Sequence, residues 1–436
     1  MDIKRSVFIL MAFLTLAGFS PLKGFRKYIL KNGLTVYLKS DNKLPIVSVH
    51  LWVKAGSVDE TKQNNGVSHF LEHMLFKGTT NYPVGEISRT IESHGGVINA
   101  ATSKEFTFYY IDISTSGYLP ALRIIADIAQ NATFPEDELE RERKVILEEI
   151  KRSEDNPENV LYENFNGLLF TATPYKYRVI GTTESVLGLS RDDIIAYYRK
   201  QYVPRNMVLV ICGNIDRAQT RKYVKDLFGG LTGTTKTQRS QMIEPVKPPS
   251  LKKSTKDVSQ TYLLSGFLGP EIDSRYQHTA DILAIVLGSG RSSRLYKNMR
   301  ERKQMVYSIG SGFYSQAGSG IFYVSAVCDA EKKEDVIKEI KSELETALNE
   351  RIDRAEINKA KEIVKSGWYF SFETYNQQAH TVGYWALLDR IKFVREYLKN
   401  IERVGPDDLK RFLKIYYTGL ATSIIEPAKA PESTAK

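Results

Sequence analysis

The strongest constraint on the fold of this 436-residue chain is an order of elements that occurs twice, on either side of residues 229–256. That segment holds a glycine pair and prolines at 245, 248 and 249, a composition typical of a linker. Before it, residues 67–154 show helix, glycine turn, aromatic strands, helix and charged helix. Residues 278–368 repeat that order, so we predict a duplicated α/β unit.

Local patterns indicate which parts of each half form strands. Asn32-Gly33 separates two runs of alternating apolar residues, a strong signal for a β-hairpin. Residues 46–53 and 97–114 are rich in the β-branched and aromatic residues that favour strands. The predicted fold class is therefore α+β, with two homologous α/β half-domains, each a mostly antiparallel sheet flanked by helices. We expect these half-domains at 25–228 and 257–425, with a linker at 229–256 and a tail at 426–436.

Composition and charge exclude several classes of protein. Hydrophobic residues make up 42% of the chain, enough for sizeable cores, and two cysteines in 436 residues exclude a disulfide scaffold. The net charge of +10 comes from 61 basic and 51 acidic residues, which are interleaved along the chain. Because no nucleic-acid-binding motif accompanies this charge, we predict no nucleic-acid partner.

The N-terminus has the pattern of a targeting segment. Lys4 and Arg5 precede an uncharged apolar run at residues 7–19, as in a secretory signal peptide. The run is shorter than the roughly 20 residues that a bilayer-spanning helix needs. We predict an exported protein, periplasmic or membrane-associated, in which residues 1–20 are either removed as a signal peptide or kept as a membrane tether.

Two other features have ordinary structural explanations. Cys212 and Cys328 each end an apolar, strand-like run in different halves, and we predict two buried free thiols. The aromatic run at residues 368–370 is more typical of a core or an interface than of a cofactor site.

The segment His69-Phe70-Leu71-Glu72-His73 carries the clearest chemistry. On a helix, positions i and i+4 share a face, so His69 and His73 can offer two imidazole nitrogens to one metal ion. Glu72 lies beside them, where a carboxylate can reach a metal-bound water. This is the H-x-x-E-H pattern of inverted zincins. Two histidines one turn apart also occur by coincidence on surface helices, and the five residues alone leave that alternative open.

A hydrolytic zinc site needs a third protein ligand and leaves its fourth position to water. In the helical pattern that starts at Pro135, Glu149 lies on the same stripe as Glu142, near Val145 and Ile146. The two glutamates are seven residues apart, about 10 Å along a helix, so one ion cannot bind both. We predict Glu149 as the third ligand and Glu142 as a supporting residue.

With these residues in place, a family resemblance becomes specific. The segments GVSHFLEHMLFKGT at 66–79 and ERERKVILEEI at 140–150 resemble the pitrilysin/insulinase family of zinc peptidases, most of all the mitochondrial processing peptidase branch and its bacterial relatives. The resemblance covers residues 27–417 approximately. It implies one Zn²⁺ per chain on His69, His73 and Glu149, with Glu72 as the general base that activates zinc-bound water.

The resemblance also implies roles for residues outside the zinc helix. Arg300 and Tyr307 match a family pair that donates hydrogen bonds to the scissile carbonyl as it becomes an oxyanion. Without the family, they would be a surface charge and a strand aromatic. A substrate-binding edge strand, on which an extended peptide adds, is implied at Gly96, Asn99, Ala100 and Ala101. On the residues alone, a plain glycine turn followed by an ordinary strand explains that segment equally well.

The predicted function is a zinc-dependent endopeptidase that cleaves peptides or unfolded polypeptide segments in a chamber enclosed by the two halves, as in a clam-shell. Relatives of this size form dimers, and this chain has both the zinc helix and the Arg/Tyr pair, so we expect a homodimer. The alternative is a non-catalytic assembly or interaction subunit of the same fold. Such subunits usually have a broken zinc helix, whereas this helix is intact.

Overall fold

The computed structural model describes residues 20–233, 236–239, 242–246 and 248–428. All but the last residue of the predicted signal or tether at 1–20, and most of the predicted tail at 426–436, lie outside these residues. In the described part of the chain, every helix is too short or too polar to cross a membrane.

In the described residues, the first half contains a six-stranded sheet in the order β1-β2-β6-β3-β5-β4. All neighbours are antiparallel except the parallel pair β2 and β6. The predicted hairpin joins β1 to β2, and Gly33 has the positive φ of 100° that such a turn needs. The strands are β1 (Phe25–Ile29), β2 (Thr35–Ser40), β3 (Ile46–Val53), β4 (Val97–Thr102), β5 (Thr107–Ser114) and β6 (Met207–Gly213).

The helices of the first half are α1 (Val67–Met74), α2 (Glu86–Ser93), α3 (Tyr118–Gln130), α4 (Glu136–Asp155), α5 (Pro157–Leu169), α6 (Thr183–Gly188), α7 (Arg191–Gln201) and α8 (Arg217–Phe228). All of them except α5 pack their apolar stripes against this sheet or against one another, which buries a large core.

The second half has a second, separate sheet, of five strands in the described residues, in the order β7-β11-β8-β10-β9. Its strands are β7 (Ser250–Lys256), β8 (Thr261–Gly269), β9 (Ser308–Tyr314), β10 (Gly320–Cys328) and β11 (Ala421–Pro427). Its helices are α9 (Gln277–Gly288), α10 (Lys333–Asn349), α11 (Arg354–Phe370), α12 (Tyr375–Leu387), α13 (Ile391–Arg403) and α14 (Pro406–Tyr416), and Tyr296–Arg302 forms a wide helical turn. The predicted fold class, two α/β half-domains, is confirmed.

The end of the predicted linker differs from the prediction. Residues 250–256 form β7, which pairs in parallel with β11 at the edge of the second sheet. Its sequence SLKKSTK is mostly exposed and rich in lysine, as is common for edge strands that resist further pairing. Such a strand has the composition of a linker, so the pattern at 229–256 concealed it. The predicted tail likewise begins inside β11.

One helix of each half packs on the sheet of the other half. Helix α5 of the first half packs on the second sheet, where Asn164 Nδ2 donates to Ser254 Oγ at 3.1 Å. Helix α12 of the second half packs on β3 and β6, and its Gly383 lies directly against the indole of Trp52. A Cβ atom at Gly383 would come within 2.1 Å of Trp52 Nε1, so this contact requires glycine. The two halves are therefore held together by reciprocal packing.

Candidate metal centre

Helix α1 is fixed at its first turn by a buried carboxylate. Glu60 accepts hydrogen bonds from the backbone N–H groups of Gly66 and Ser68, at 2.8 and 2.9 Å, and from Asn65 Nδ2 at 2.8 Å. Burial raises the pKa of Glu60 even though these donors favour the charged form. Sequence reasoning missed Glu60, because its partners are backbone groups at the N-terminal end of a helix.

The apolar residues of α1 determine which way its polar residues face. Val67, Phe70, Leu71 and Met74 are buried in the core of the first half. His69, Glu72 and His73 therefore lie on the opposite, partly exposed side. Helix α4 crosses that side and carries Glu142 and Glu149.

His69, His73 and Glu149 come together into one group. Oε2 of Glu149 lies 3.8 Å from Nε2 of His69 and 3.7 Å from Nε2 of His73. The two imidazole centroids are 4.7 Å apart. One ligand atom from each of the three residues lies within 4.8 Å of the others, the spacing expected around a single ion. We call these three residues the metal group.

The donor set of the metal group fits zinc. Zinc–nitrogen and zinc–oxygen bonds of about 2.0–2.2 Å place tetrahedral ligands roughly 3.3–3.6 Å apart, close to the distances between Glu149 and the imidazoles. Burial, and to a smaller degree the neighbouring His73, lowers the pKa of His69 to about 3. His69 is thus neutral at physiological pH, the form in which imidazole binds a metal.

Glu142 orients His73 from the side away from Glu149. Its Oε2 lies 2.9 Å from Nδ1 of His73, and its Oε1 lies 2.6 Å from the Lys77 ammonium. Burial opposes ionisation of Glu142, but the hydrogen bonds from Lys77 and His73 outweigh it and lower the pKa. With Nδ1–H donating to this carboxylate, the Nε2 lone pair of His73 faces Glu149. Sequence reasoning anticipated Glu142 but missed Lys77, which follows the end of α1.

The burial of the residues around Glu149 on α4 differs in part from the predicted stripe. Ile146 is buried, as expected, but Val145 is 42% exposed, so Glu149 lies at the border of the buried face rather than on it. This border position lets Glu149 face His69 and His73.

Glu72 lies next to the metal group and is held by a residue of the edge strand. Thr102 Oγ1 donates a 2.5 Å hydrogen bond to Oε2 of Glu72. Burial raises the pKa of Glu72, and Glu149 adds to this, while Thr102 and His73 act in the opposite direction. This contact joins residues thirty positions apart, so the sequence pattern did not predict it.

The predicted substrate strand, β4, is the outer strand of its sheet and pairs only with β5 in the described residues. Asn99 and Ala101 are exposed, and Ala100 is partly exposed. Gly96 has a structural reason to be glycine, because a Cβ atom there would come within 2.8 Å of Ile113. The strand ends at Thr102, so its free edge leads to Glu72.

Arg300 and Tyr307 are exposed and bonded within the second half. Arg300 Nη1 donates to the Val306 carbonyl at 3.1 Å, and Tyr307 hydroxyl donates to Asp329 Oδ1 at 2.6 Å. The hydrogen bond with Asp329 raises the pKa of Tyr307. Across the described residues, neither side chain forms a hydrogen bond or ion pair with the metal group or Glu72. The structure thus brings the predicted site residues of the first half together, whereas, in the described part of the chain, Arg300 and Tyr307 are not bonded to them.

Two family models match consecutive parts of the chain, and the border between the matches lies within the first half, before the linker. Residues 35–183 match the family described as Insulinase (Peptidase family M16), and residues 188–364 match the family described as Peptidase M16 inactive domain. The metal group and Glu72 lie in the first match, and Arg300 and Tyr307 lie in the second.

Similar proteins span nearly the whole chain. An uncharacterized zinc protease of Rickettsia felis is 31% identical over 91% of this chain and 96% of its own length. The uncharacterized zinc protease YmxG of Bacillus subtilis is 29% identical over 92% of this chain and 98% of its own. The crystal structure of a protease from Helicobacter pylori superposes with a TM-score of 0.86 at 26% identity, covering 92% of this chain and 99% of that one.

Proposed function

The chain belongs to the insulinase (M16) family of peptidases, and from this premise we propose that it is a zinc-dependent endopeptidase acting on peptides or unfolded polypeptide segments. The observation that carries the proposal is the convergence of His69, His73 and Glu149 beside Glu72. Two imidazoles and a carboxylate would hold the ion, and the fourth position would remain for water.

The chain's own residues divide the work of hydrolysis. When bound, zinc supplies Lewis acidity, which polarises the scissile carbonyl and lowers the pKa of water. Glu72 accepts the proton of the attacking water and returns it to the leaving amine. Burial, which raises the pKa of Glu72, makes this carboxyl a better proton acceptor. Glu142 keeps His73 in the tautomer that offers Nε2 to the ion.

The free edge of β4 would position the substrate. An extended peptide that pairs with Asn99, Ala100 and Ala101 as an added strand runs toward Thr102 and so toward Glu72. Main-chain pairing of this kind accepts many sequences but requires an unfolded segment. It therefore favours flexible polypeptides over folded proteins as substrates.

Arg300 and Tyr307 would donate hydrogen bonds to the oxyanion that forms on the scissile carbonyl. Both side chains are exposed, and among the described residues neither forms a hydrogen bond or ion pair with the metal group. These two observations support an arrangement in which a homodimer encloses a chamber. In it, Arg300 of the partner subunit and Tyr307 of the partner subunit approach the metal group. We propose this homodimer, acting after export, as the working form.

The test pairs metal content with hydrolysis of a quenched, unstructured peptide. Wild type and Glu72→Gln should each bind about one zinc per chain, and only wild type should cleave, in a chelator-sensitive way. Glu148→Gln is the matched control, because Glu148 is an exposed glutamate on α4. Cleavage by Glu72→Gln at the wild-type rate would refute Glu72 as the base. Zinc binding without cleavage of any peptide by wild type would favour the non-catalytic subunit instead.

A further inference from the structure

A cavity of about 560 Å³ opens in the second half, far in sequence from the metal group. Five elements form it: helices α9, α11, α12 and α13 and the edge strand β9. Aromatic rings make up much of its wall. The centroids of Trp368 and Tyr397 are 4.5 Å apart, and those of Tyr384 and Trp385 are 5.0 Å apart. We call this space the aromatic cavity.

One carboxylate faces these rings. Asp281 of α9 lines the aromatic cavity, and its Oδ2 accepts a 3.0 Å hydrogen bond from the Tyr397 hydroxyl. Among the described residues, no lysine or arginine lines the cavity. Burial, against the smaller effect of the Tyr397 bond, raises the pKa of Asp281 to about 7. Above that pH the carboxyl is ionised, and because a charge buried without a counter-ion is costly, a cation bound from outside would stabilise it.

The histidines near the cavity do not supply that cation. His380 lines the cavity and His278 packs on the ring of Tyr397 at 5.3 Å. Burial lowers the pKa of His380, and it lowers the pKa of His278 to about 4. Both imidazoles are therefore neutral near pH 7. Once Asp281 is ionised, the cavity has one negative group and several π faces, the two features that attract an organic cation.

The aromatic cavity lies at the position in the second half that corresponds to the metal group in the first half. In the first half, α1 packs against α4 and the edge strand β4, and the metal group lies where they meet. In the second half, α9 packs against α11 and the edge strand β9, and the aromatic cavity lies there. The same corner of the duplicated unit therefore holds a site in both halves.

We propose that the aromatic cavity binds the cationic side chain of a lysine or arginine residue in the polypeptide substrate. Asp281 supplies the counter-charge, and the rings of Trp368 and Tyr397 pack against the aliphatic stem and the charged head. The cavity would thus be a recognition site remote in sequence from the cleaving residues. Polypeptide as the source of the cation rests on the proposed function.

Tryptophan fluorescence can report occupancy directly, because Trp368 and Trp385, two of the chain's three tryptophans, line the cavity. The third, Trp52, is fully buried under α12. The probe is acetyl-Ala-Ala-Lys-Ala-Ala-amide, and its control has norleucine in place of lysine. The full chain is used with Glu72→Gln, so that binding is measured without cleavage.

We expect a saturable change in emission with the lysine peptide and binding weaker by about tenfold with the norleucine peptide. Asp281→Asn should remove this preference while keeping the hydrogen bond to Tyr397. Equal binding of the two peptides, or a preference that survives Asp281→Asn, would overturn the proposal.

A second variant tests the cavity without touching the charge. A Cβ atom at Gly367 meets no atom within 4 Å, and Gly367 lines the cavity, so Gly367→Leu should fill it and weaken binding of the lysine peptide by about tenfold. Gly167→Leu is the matched control, because Gly167 of α5 is also helical and open but lies outside the cavity. Undiminished binding to Gly367→Leu would count against the cavity.

The experiments can refute the peptidase proposal and the aromatic-cavity proposal independently of each other. Hydrolysis by wild type without any lysine preference in the binding assay would refute the aromatic cavity alone. Lysine preference in Glu72→Gln together with a wild type that cleaves nothing would refute the peptidase and leave the cavity standing.

Discussion

In the first half, α1 presents His69, Glu72 and His73 to α4 and to the edge strand β4. In the second half, α9 packs in the same way against α11 and β9, but it presents Asp281 to a wall of aromatic rings. The first corner gathers two imidazoles and a carboxylate at ligand spacing. The second gathers one carboxylate and π faces. Under the two proposals, equivalent backbone geometry supports catalysis in one half and recognition in the other.

The difference originates in the sequences of two helices. Helix α1 has a buried apolar side and an open polar side, so three chemical groups face the same space. Helix α9 is buried almost all round, and Asp281 is its one acidic residue. Duplication therefore preserves packing, while the residue types on a single helix face decide the chemistry.

Removing a ligand from the first corner should have the largest effect. His69→Ala should abolish stoichiometric zinc binding and lower hydrolysis by about 10³-fold, on the order of 4 kcal/mol of transition-state stabilisation. Metal analysis and a peptide assay measure both. His94→Ala, at the end of α2 and outside both corners, should retain zinc and activity. Normal zinc content in His69→Ala would show that the ion binds elsewhere.

The substitution Tyr307→Phe tests whether the second half takes part in peptide hydrolysis. Loss of one oxyanion donor should lower kcat by about 10²-fold and leave zinc content unchanged. Co-expression of Tyr307→Phe with Glu72→Gln tests the dimer. If Tyr307 acts across subunits, mixed dimers have one intact site, and about a quarter of wild-type activity should return. No recovery would place the pair in the same chain as the site it serves.

Glu142→Gln tests how far the first corner depends on orientation. The amide is a weaker acceptor for His73 Nδ1–H and lacks the charge that holds Lys77. Zinc should therefore bind about 10-fold to 100-fold more weakly, as measured by competition with a chelator. An affinity equal to that of wild type would mean that Glu142 only fixes the packing of α4.

Asp281→Asn tests the electrostatics of the second corner through stability. Because burial raises the folded-state pKa to about 7, the folded protein binds this proton more tightly than the unfolded chain. Wild type should lose stability as pH rises from about 4 to about 7, whereas the asparagine variant escapes this penalty. Allowing for partial exposure to the cavity, we expect the variant to be about 1–2 kcal/mol more stable at pH 8 and equal near pH 4. Denaturant unfolding at both pH values measures this, and a pH-independent difference would contradict it.

Part of this architecture was predictable from local patterns. The Asn32-Gly33 turn identified the hairpin of β1 and β2, and the repeated order of elements identified two halves. Cys212 and Cys328 are buried and free, as predicted. Strand β7 was hidden because an exposed edge strand lacks the apolar alternation that marks other strands.

The sequence by itself determined the spacing of His69, Glu72 and His73 on one helix and selected Glu149 on another, because helical periodicity is a local property. Only the tertiary structure decided that Thr102 contacts Glu72 and that α5 and α12 are exchanged between the sheets. It also decided that Asp281 faces rings from three other helices. These contacts join residues far apart along the chain, and their energies depend on packing and burial that no local pattern encodes.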